Sequence, residues 1–276
     1  MGDGDAVRTY YEGYAEREWA RLDRPDDGAL EFALNSRTIA AYLPPGATVL
    51  DIGGGPGRYA HWLAARGHRV TLADLSPALL TIARERTPAT GPSLEAIVEA
   101  DARDLGRWST GSFDAVLALG PLYHLTEAAD RARAAAELAR VLRPGGLLFA
   151  AIMPRLAFLR RTIADPTERR HLAAPGFLAR ILAEGVFIND VPGRFTGGYG
   201  FRPEAIDPFF AAHGFAQLTL LASESAAPDL QGQLAELARA DPAAYEATLD
   251  ALLAVATEPS ILGLASHLLY VGRRAE

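Results

Sequence analysis

The chemistry this sequence offers begins at Asp51. This acid lies within the apolar run Val49-Leu50-Asp51-Ile52, and Gly53, Gly54, Gly55 and Gly57 follow it before Arg58 and Tyr59. Glycine backbone lets a ligand approach the main chain and permits positive φ, and the N–H groups of the helix that follows point at whatever binds there. A carboxylate just ahead of such a loop favours a ligand carrying an amine or a sulfonium, because a pyrophosphate would be repelled by it. The same stretch also reads as G-x-G-x-x-A through Gly55, Gly57 and Ala60, which fits a dinucleotide fingerprint, so at this level both ligand classes stand. Near the N-terminus, Tyr11 and Tyr14 fall on the apolar side of a helical period. They serve either as a core stripe or as the floor of a pocket. The absence of cysteine excludes disulfides and thiol chemistry, and the six histidines show no H-x-H or H-x-x-x-H spacing for a metal, so none is expected.

The elements that must hold these residues alternate regularly. An amphipathic helix over 5–23 and a second helix in LEFALNSRTIAAYL precede the first strand, 47–52. Then come a helix ending at Gly67, the strand HRVTLADLS, a helix opened by Pro77, the strands LEAIVEAD and FDAVLALG, a long helix in EAADRARAAAELARVL, and the strand LLFAAI after the turn RPGG. Strand and helix alternating at these lengths predict a doubly wound α/β fold with a mostly parallel sheet. Residues 153–200 break the pattern with Arg/Pro-rich segments, a helix near 175–184 and the cluster TGGYG. The pattern resumes in a helix at 203–214 and the strand AQLTLLASES, is broken again by an Ala/Leu-rich helical pair near 228–258, and closes with the strand HLLYVGRR. A chain of 276 residues with a net charge of −7 accommodates one large domain with such additions and disfavours a nucleic-acid partner. No apolar run is long enough to span a membrane, and the N-terminus is unlike a signal peptide, so a cytoplasmic protein is expected.

These residues resemble the class I S-adenosylmethionine-dependent methyltransferases, in particular those acting on small molecules. Asp51, Gly53, Gly55 and Gly57 match that family's D-x-G-x-G-x-G motif. Asp74 in LADLS, Asp101 in EADARDL, the segment FDAVLALGPLYHL and the turn LRPGG match its later motifs in order. The resemblance covers residues 47–152 well and the final strands by pattern. It implies a Rossmann-like, seven-stranded sheet that binds S-adenosylmethionine and releases S-adenosylhomocysteine. Asp51 would favour the cofactor's ammonium, and Arg58 or Arg37 would meet its carboxylate unless either forms a surface salt bridge instead. Asp74, beside Leu75, could accept both ribose hydroxyls, or could act as a turn acid before Ser76 and Pro77. Asp101 could accept from the adenine amino group while the Ala102 N–H faces a ring nitrogen, with Leu119 completing the cofactor side; as an ordinary loop acid Asp101 would stay solvated.

On this reading residues 1–46 cover the active site, 47–152 bind the cofactor, 153–200 form a substrate lid, and 201–276 complete the sheet. Tyr11, Tyr14, Tyr123, His124, Phe195 and Tyr199 are the candidate substrate contacts, and Phe187 belongs to the same lid. His124 is the candidate general base with Tyr14 as a second catalytic candidate, although His124 could instead pack at a helix start. The expected reaction is methyl transfer to an oxygen, nitrogen or carbon nucleophile of a small molecule, with secondary metabolism as the setting and a monomer or homodimer as the assembly. Two other classes stay open: a nicotinamide-dependent oxidoreductase, favoured by the G-x-G-x-x-A reading, and a regulator that binds the adenosyl cofactor without chemistry.

Overall fold

The computed structural model describes residues 19–21, 28–88, 92–189 and 197–276. Tyr11, Tyr14 and Phe195 lie outside these residues, as does most of the first expected helix. The first complete element is helix α1 (Ala29–Tyr42), which buries Leu30, Leu34 and Ile39 along one side. Then β1 (Thr48–Ile52), α2 (Arg58–Ala64), β2 (Arg69–Asp74), α3 (Pro77–Arg86), β3 (Ala96–Glu99) and β4 (Phe113–Ala118) alternate. Short helix α4 (Pro121–His124) and long helix α5 (Ala128–Val141) lead into β5 (Leu142–Ile152). Strand β5 already contains the Arg143–Gly146 stretch expected as a turn. Its pairing with β4 shifts register between Phe113 and Ala115, which absorbs the extra residues as an irregularity.

Beyond β5 come α6 (Arg155–Ala164), α7 (Phe177–Glu184), and the strands β6 (Val186–Ile188) and β7 (Gly197–Tyr199), which pair with each other as a small antiparallel sheet. Helix α8 (Ile206–Ala211), β8 (Phe215–Ala222), α9 (Gln231–Ala240), α10 (Pro242–Val255), the one-turn helix α11 (Pro259–Leu262) and β9 (Leu268–Arg274) complete the chain. The main sheet has seven strands in the order β3-β2-β1-β4-β5-β9-β8; β9 runs antiparallel to both its neighbours and the other pairings are parallel. Strand order reverses between β1 and β4, so the carboxyl ends of β1, β2 and β4 open together at a topological switch point, where such sheets bind ligands.

Two apolar layers sandwich the sheet. Alternate strand residues point to opposite faces: Leu50, Val116 and Leu148 lie in one layer, Val49, Ala115 and Leu147 in the other. The additions pack against this frame. Phe158 stacks on Phe187 with ring centroids 4.9 Å apart, and with Ile181, Met153 and Tyr123 they form a separate apolar cluster. Arg155 ties the cluster's backbone together, its guanidinium donating to the carbonyls of Leu182 and Gly200 at 2.8 and 3.2 Å. Helices α9 and α10 lean on α1 through Leu234, Leu249, Leu30 and Leu34. No helix among the described residues is long and apolar enough to cross a membrane.

Candidate active site

A cavity of about 140 Å³ opens at the switch point, lined by the β1–α2 loop, the ends of β2 and β3, the segment after β4, and Arg21 and Glu31 from the N-terminal side. The glycines of the loop are set by contacts rather than by looseness. A Cβ on Gly53 would lie 2.5 Å from Cγ of Pro121, so the absence of a side chain lets the segment after β4 close over the loop. Gly55 turns at φ +57°, and its amide donates to Asp74 Oδ2 at 2.8 Å. Asp74 Oδ1 accepts the Ser76 amide at 2.8 Å, and Ser76 caps α3 by accepting from Leu79 N. Asp74 therefore does the turn work that a short acid performs before a helix, and it also lines the cavity.

Asp51 is 1% exposed, and neither of its carboxylate oxygens has a hydrogen-bond partner among the described residues. Burial and the nearby Asp74 carboxylate push its pKa up to about 7; the Ala60 amide pulls the other way without reaching hydrogen-bond geometry. A buried anion costs too much to leave unpaired, so a positive group arriving in the cavity is what this carboxylate lacks. Such a site fits the ammonium of an amino-acid-bearing cofactor.

The remaining candidates divide. Asp101 and Ala102 line the cavity near the end of β3, but Asp101 is held by Arg103, which donates from its backbone amide at 2.8 Å and from Nη2 at 2.6 Å. Arg103 more than offsets the upward push of burial, and the Asp101 carboxyl sits below its ordinary pKa. An adenine amino group there would share Asp101 with a guanidinium already in place. Leu75, Leu119, Tyr123 and His124 all line the cavity. Tyr123 and His124 are buried on α4 with ring centroids 4.9 Å apart. Arg58 lines it too, but its guanidinium lies over the rings of Trp19 and Phe32, at 4.8 and 5.5 Å.

Arg37, expected near a cofactor carboxylate, forms ion pairs with Glu246 and Asp250 on the surface of α10 and does not line the cavity. Its place on α1 turns it toward α10. Tyr199 is likewise absent from the cavity wall: the Arg131 guanidinium sits 3.4 Å above its ring, and its edge packs against Phe201. Phe187 is fully buried in the insertion's own cluster. Strand pairing of 186–188 with 197–199 holds Phe187 in the insertion's cluster and Tyr199 against α5 rather than over the opening.

Glu31, Arg21 and Tyr59 line the cavity without having been singled out in the sequence. The signal available for Glu31 was an acid inside the otherwise apolar LEFAL run, where α1 buries it to 5% exposure. Arg21 Nη1 donates to Glu31 Oε2 at 2.9 Å. His267, just before β9, places Nδ1 3.6 Å from both Glu31 Oε2 and Glu224 Oε1. Among the described residues these three form a group whose ligand atoms all lie within 4.8 Å of one another. The histidine comes from outside any spacing motif, which is why a metal was not expected. Burial pushes the Glu31 carboxyl up and the His267 imidazole down, yet Arg21 first and His267 second hold Glu31 low, and Glu31 with Glu224 raises His267.

Fold and cavity together define a doubly wound α/β protein with a cavity at its switch point. Residues 50–150 match the methyltransferase domain family. A ubiquinone biosynthesis O-methyltransferase of Xanthomonas axonopodis pv. citri is 37% identical over 150 residues, spanning 53% of this chain and 57% of that protein. The chain thus spans little more than half the length of the curated relatives it matches. Two solved structures share the fold: magnesium protoporphyrin IX methyltransferase from Synechocystis with bound S-adenosylmethionine, at TM-score 0.60 and 14% identity over 100% of this chain and 98% of that one; and the 1,6-didemethyltoxoflavin-N1-methyltransferase of Burkholderia thailandensis with its substrate and S-adenosylhomocysteine, at TM-score 0.55 and 16% identity over 100% and 92%. Over residues 50–150 the chain is similar to the methyltransferase domain family, and its seven-stranded sheet is the fold those two solved methyltransferases share.

Proposed function

We propose that this chain binds S-adenosylmethionine in the cavity and transfers its methyl group to a nucleophile of a small molecule. The observation that carries this reading is Asp51, a buried carboxylate with no hydrogen-bond partner among the described residues, set against a glycine loop in the cavity wall. An ammonium satisfies it, whereas a pyrophosphate would add negative charge beside it, which speaks against the nicotinamide alternative. When bound, the cofactor supplies a methyl on a positively charged sulfur, already primed to leave.

The chain's own residues then have three tasks. Asp51 pairs the cofactor's positive end, and Asp74, at the end of β2 in the cavity wall, accepts its ribose hydroxyls. Leu119, Tyr123 and the buried α4 exclude water around the reacting atoms and hold the acceptor in line. His124 is the base that takes the acceptor's proton as it becomes nucleophilic. The oxygen class of acceptor is supported by the Xanthomonas relatives, whose name is that of an O-methyltransferase.

Titration calorimetry with S-adenosylmethionine, S-adenosylhomocysteine and NAD tests the cofactor reading. Binding of both adenosyl compounds and not of NAD is expected; NAD binding alone would overturn it. Mass spectrometry of phenol, amine and carbanion-forming acceptors incubated with the protein and labelled cofactor separates an enzyme from a non-catalytic binder.

A further inference from the structure

We propose that Glu31, Glu224 and His267 form a divalent transition-metal site, suited to Zn²⁺, beside the cavity that Glu31 lines. The two carboxylates are already anchored by other groups, and all three residues offer an atom to one point. Glu224 Oε2 accepts the Ser266 and His267 amides at 3.3 and 3.4 Å, which leaves Oε1 turned to the imidazole. Glu31 is steadied by Arg21 on Oε2, and that oxygen has a second lone pair. The Nδ1 atom of His267 is buried and has no hydrogen bond among the described residues, although it stands 3.6 Å from both carboxylates.

That spacing is too long for a hydrogen bond and close to the separation of two ligands on one small ion, given metal–ligand bonds of about 2.0–2.2 Å. One imidazole with two carboxylates is a donor set that favours zinc or a similar ion over calcium or magnesium, which take oxygen alone. Arg21 would remain as the outer hydrogen bond that ligating carboxylates usually carry. Glu31 and Tyr123 both line the cavity, and the Tyr123 ring centroid lies 5.7 Å from that of His267, so the three ligands adjoin the cavity wall where Glu31 stands.

The role follows from that position, and this part rests on the methyltransferase reading. An acceptor hydroxyl bound there would be made more acidic, its electron pair staying on the oxygen while the proton passes to a base such as His124. The chemical class of acceptor is then an oxygen nucleophile such as a phenol.

The test uses the full chain after chelator treatment and dialysis, with no cofactor present. Calorimetric titration with Zn²⁺ should show one site per chain at micromolar affinity or better, and Co²⁺ should give the visible absorption of a tetrahedral N,O site. Glu224→Gln and His267→Ala should each weaken Zn²⁺ by at least about 30-fold while S-adenosylhomocysteine binding stays within a few-fold, which also shows that the variants fold. If either variant is unfolded, the Co²⁺ spectrum of the unaltered chain and of Glu31→Gln decides. Equal Zn²⁺ binding by the unaltered chain and folded variants, or no stoichiometric site and no Co²⁺ band, would overturn the proposal. A metal site without adenosyl binding would overturn the methyltransferase reading and leave the site standing.

Discussion

A Cβ placed on Gly54 would lie 2.5 Å from both Cγ and Oδ2 of Asp51, and equally close to Cδ1 of Leu72. The carboxylate is thus wedged under bare backbone. The Gly54→Ala substitution must push aside either the acid or the β2 side chain, and overpacking of this kind costs about 1–3 kcal/mol. We expect at least tenfold weaker S-adenosylhomocysteine binding and a lower melting temperature. Calorimetry and a thermal melt on the purified variant check both, and normal binding would show that the loop yields freely.

Asp51 gives a pH dependence with a definite sign. Its proton is retained in the ligand-free fold up to about pH 7, whereas the unfolded chain loses it near 3.8. The fold binds more protons than the unfolded chain across that window, so this group's contribution to stability falls as pH rises through it, by an amount on the order of a few kcal/mol. Asp51→Asn should abolish that slope and be more stable than the parent at pH 8. Melting curves of ligand-free protein between pH 4 and 8 decide it.

The cofactor's positive charge reverses the advantage. Pairing an ammonium requires ionised Asp51, so S-adenosylmethionine affinity should rise up to about tenfold per pH unit below 7 and level off above it, with a proton released on binding. In Asp51→Asn the profile should flatten. Titrations in two buffers of different ionisation enthalpy count the proton, and no release at pH 6 would separate Asp51 from the cofactor.

Asp74 anchors the Gly55 and Ser76 amides as well as facing the cavity. Asp74→Ala should weaken S-adenosylmethionine and S-adenosylhomocysteine alike by about 1.5–3 kcal/mol, the worth of charge-assisted hydrogen bonds. Asp74→Asn, which keeps one acceptor for the loop, should lose less. Equal affinities for parent and Asp74→Ala would place the ribose elsewhere.

His124→Ala should lower kcat by about 10²–10⁴-fold, leave S-adenosylmethionine affinity within a few-fold, and remove the acidic limb of the pH–rate profile. Steady-state rates from pH 5 to 9 test this. A variant with near-normal kcat throughout would remove His124 as the base and leave alignment to account for catalysis.

The half of the site built on adjacent residues was legible in the sequence. Asp51, the glycines, Asp74 and Asp101 each sit at the carboxyl end of a strand, so topology carries them to one edge once strand and helix alternate. Glu31 and His267 come from opposite ends of the chain and meet only because α1 and the start of β9 pack beside the same opening. No local spacing records that. Arg37 and Tyr199 were misplaced for a related reason: which way a helix or hairpin faces is decided by its partners, here α10 for Arg37 and Arg131 with Phe201 for Tyr199.

Tyr123 belongs at once to the cavity wall and to the apolar cluster of the insertion, beside Phe158, Ile181 and Phe187. Leu119 also lines the cavity and packs against the same cluster. A change of volume at Phe158 or Ile181 therefore reaches the cavity through Tyr123 and Leu119, at the segment after β4, whereas Asp51 and Asp74 stand on β1 and β2. Drift in the insertion's sequence would reshape that side of the opening first.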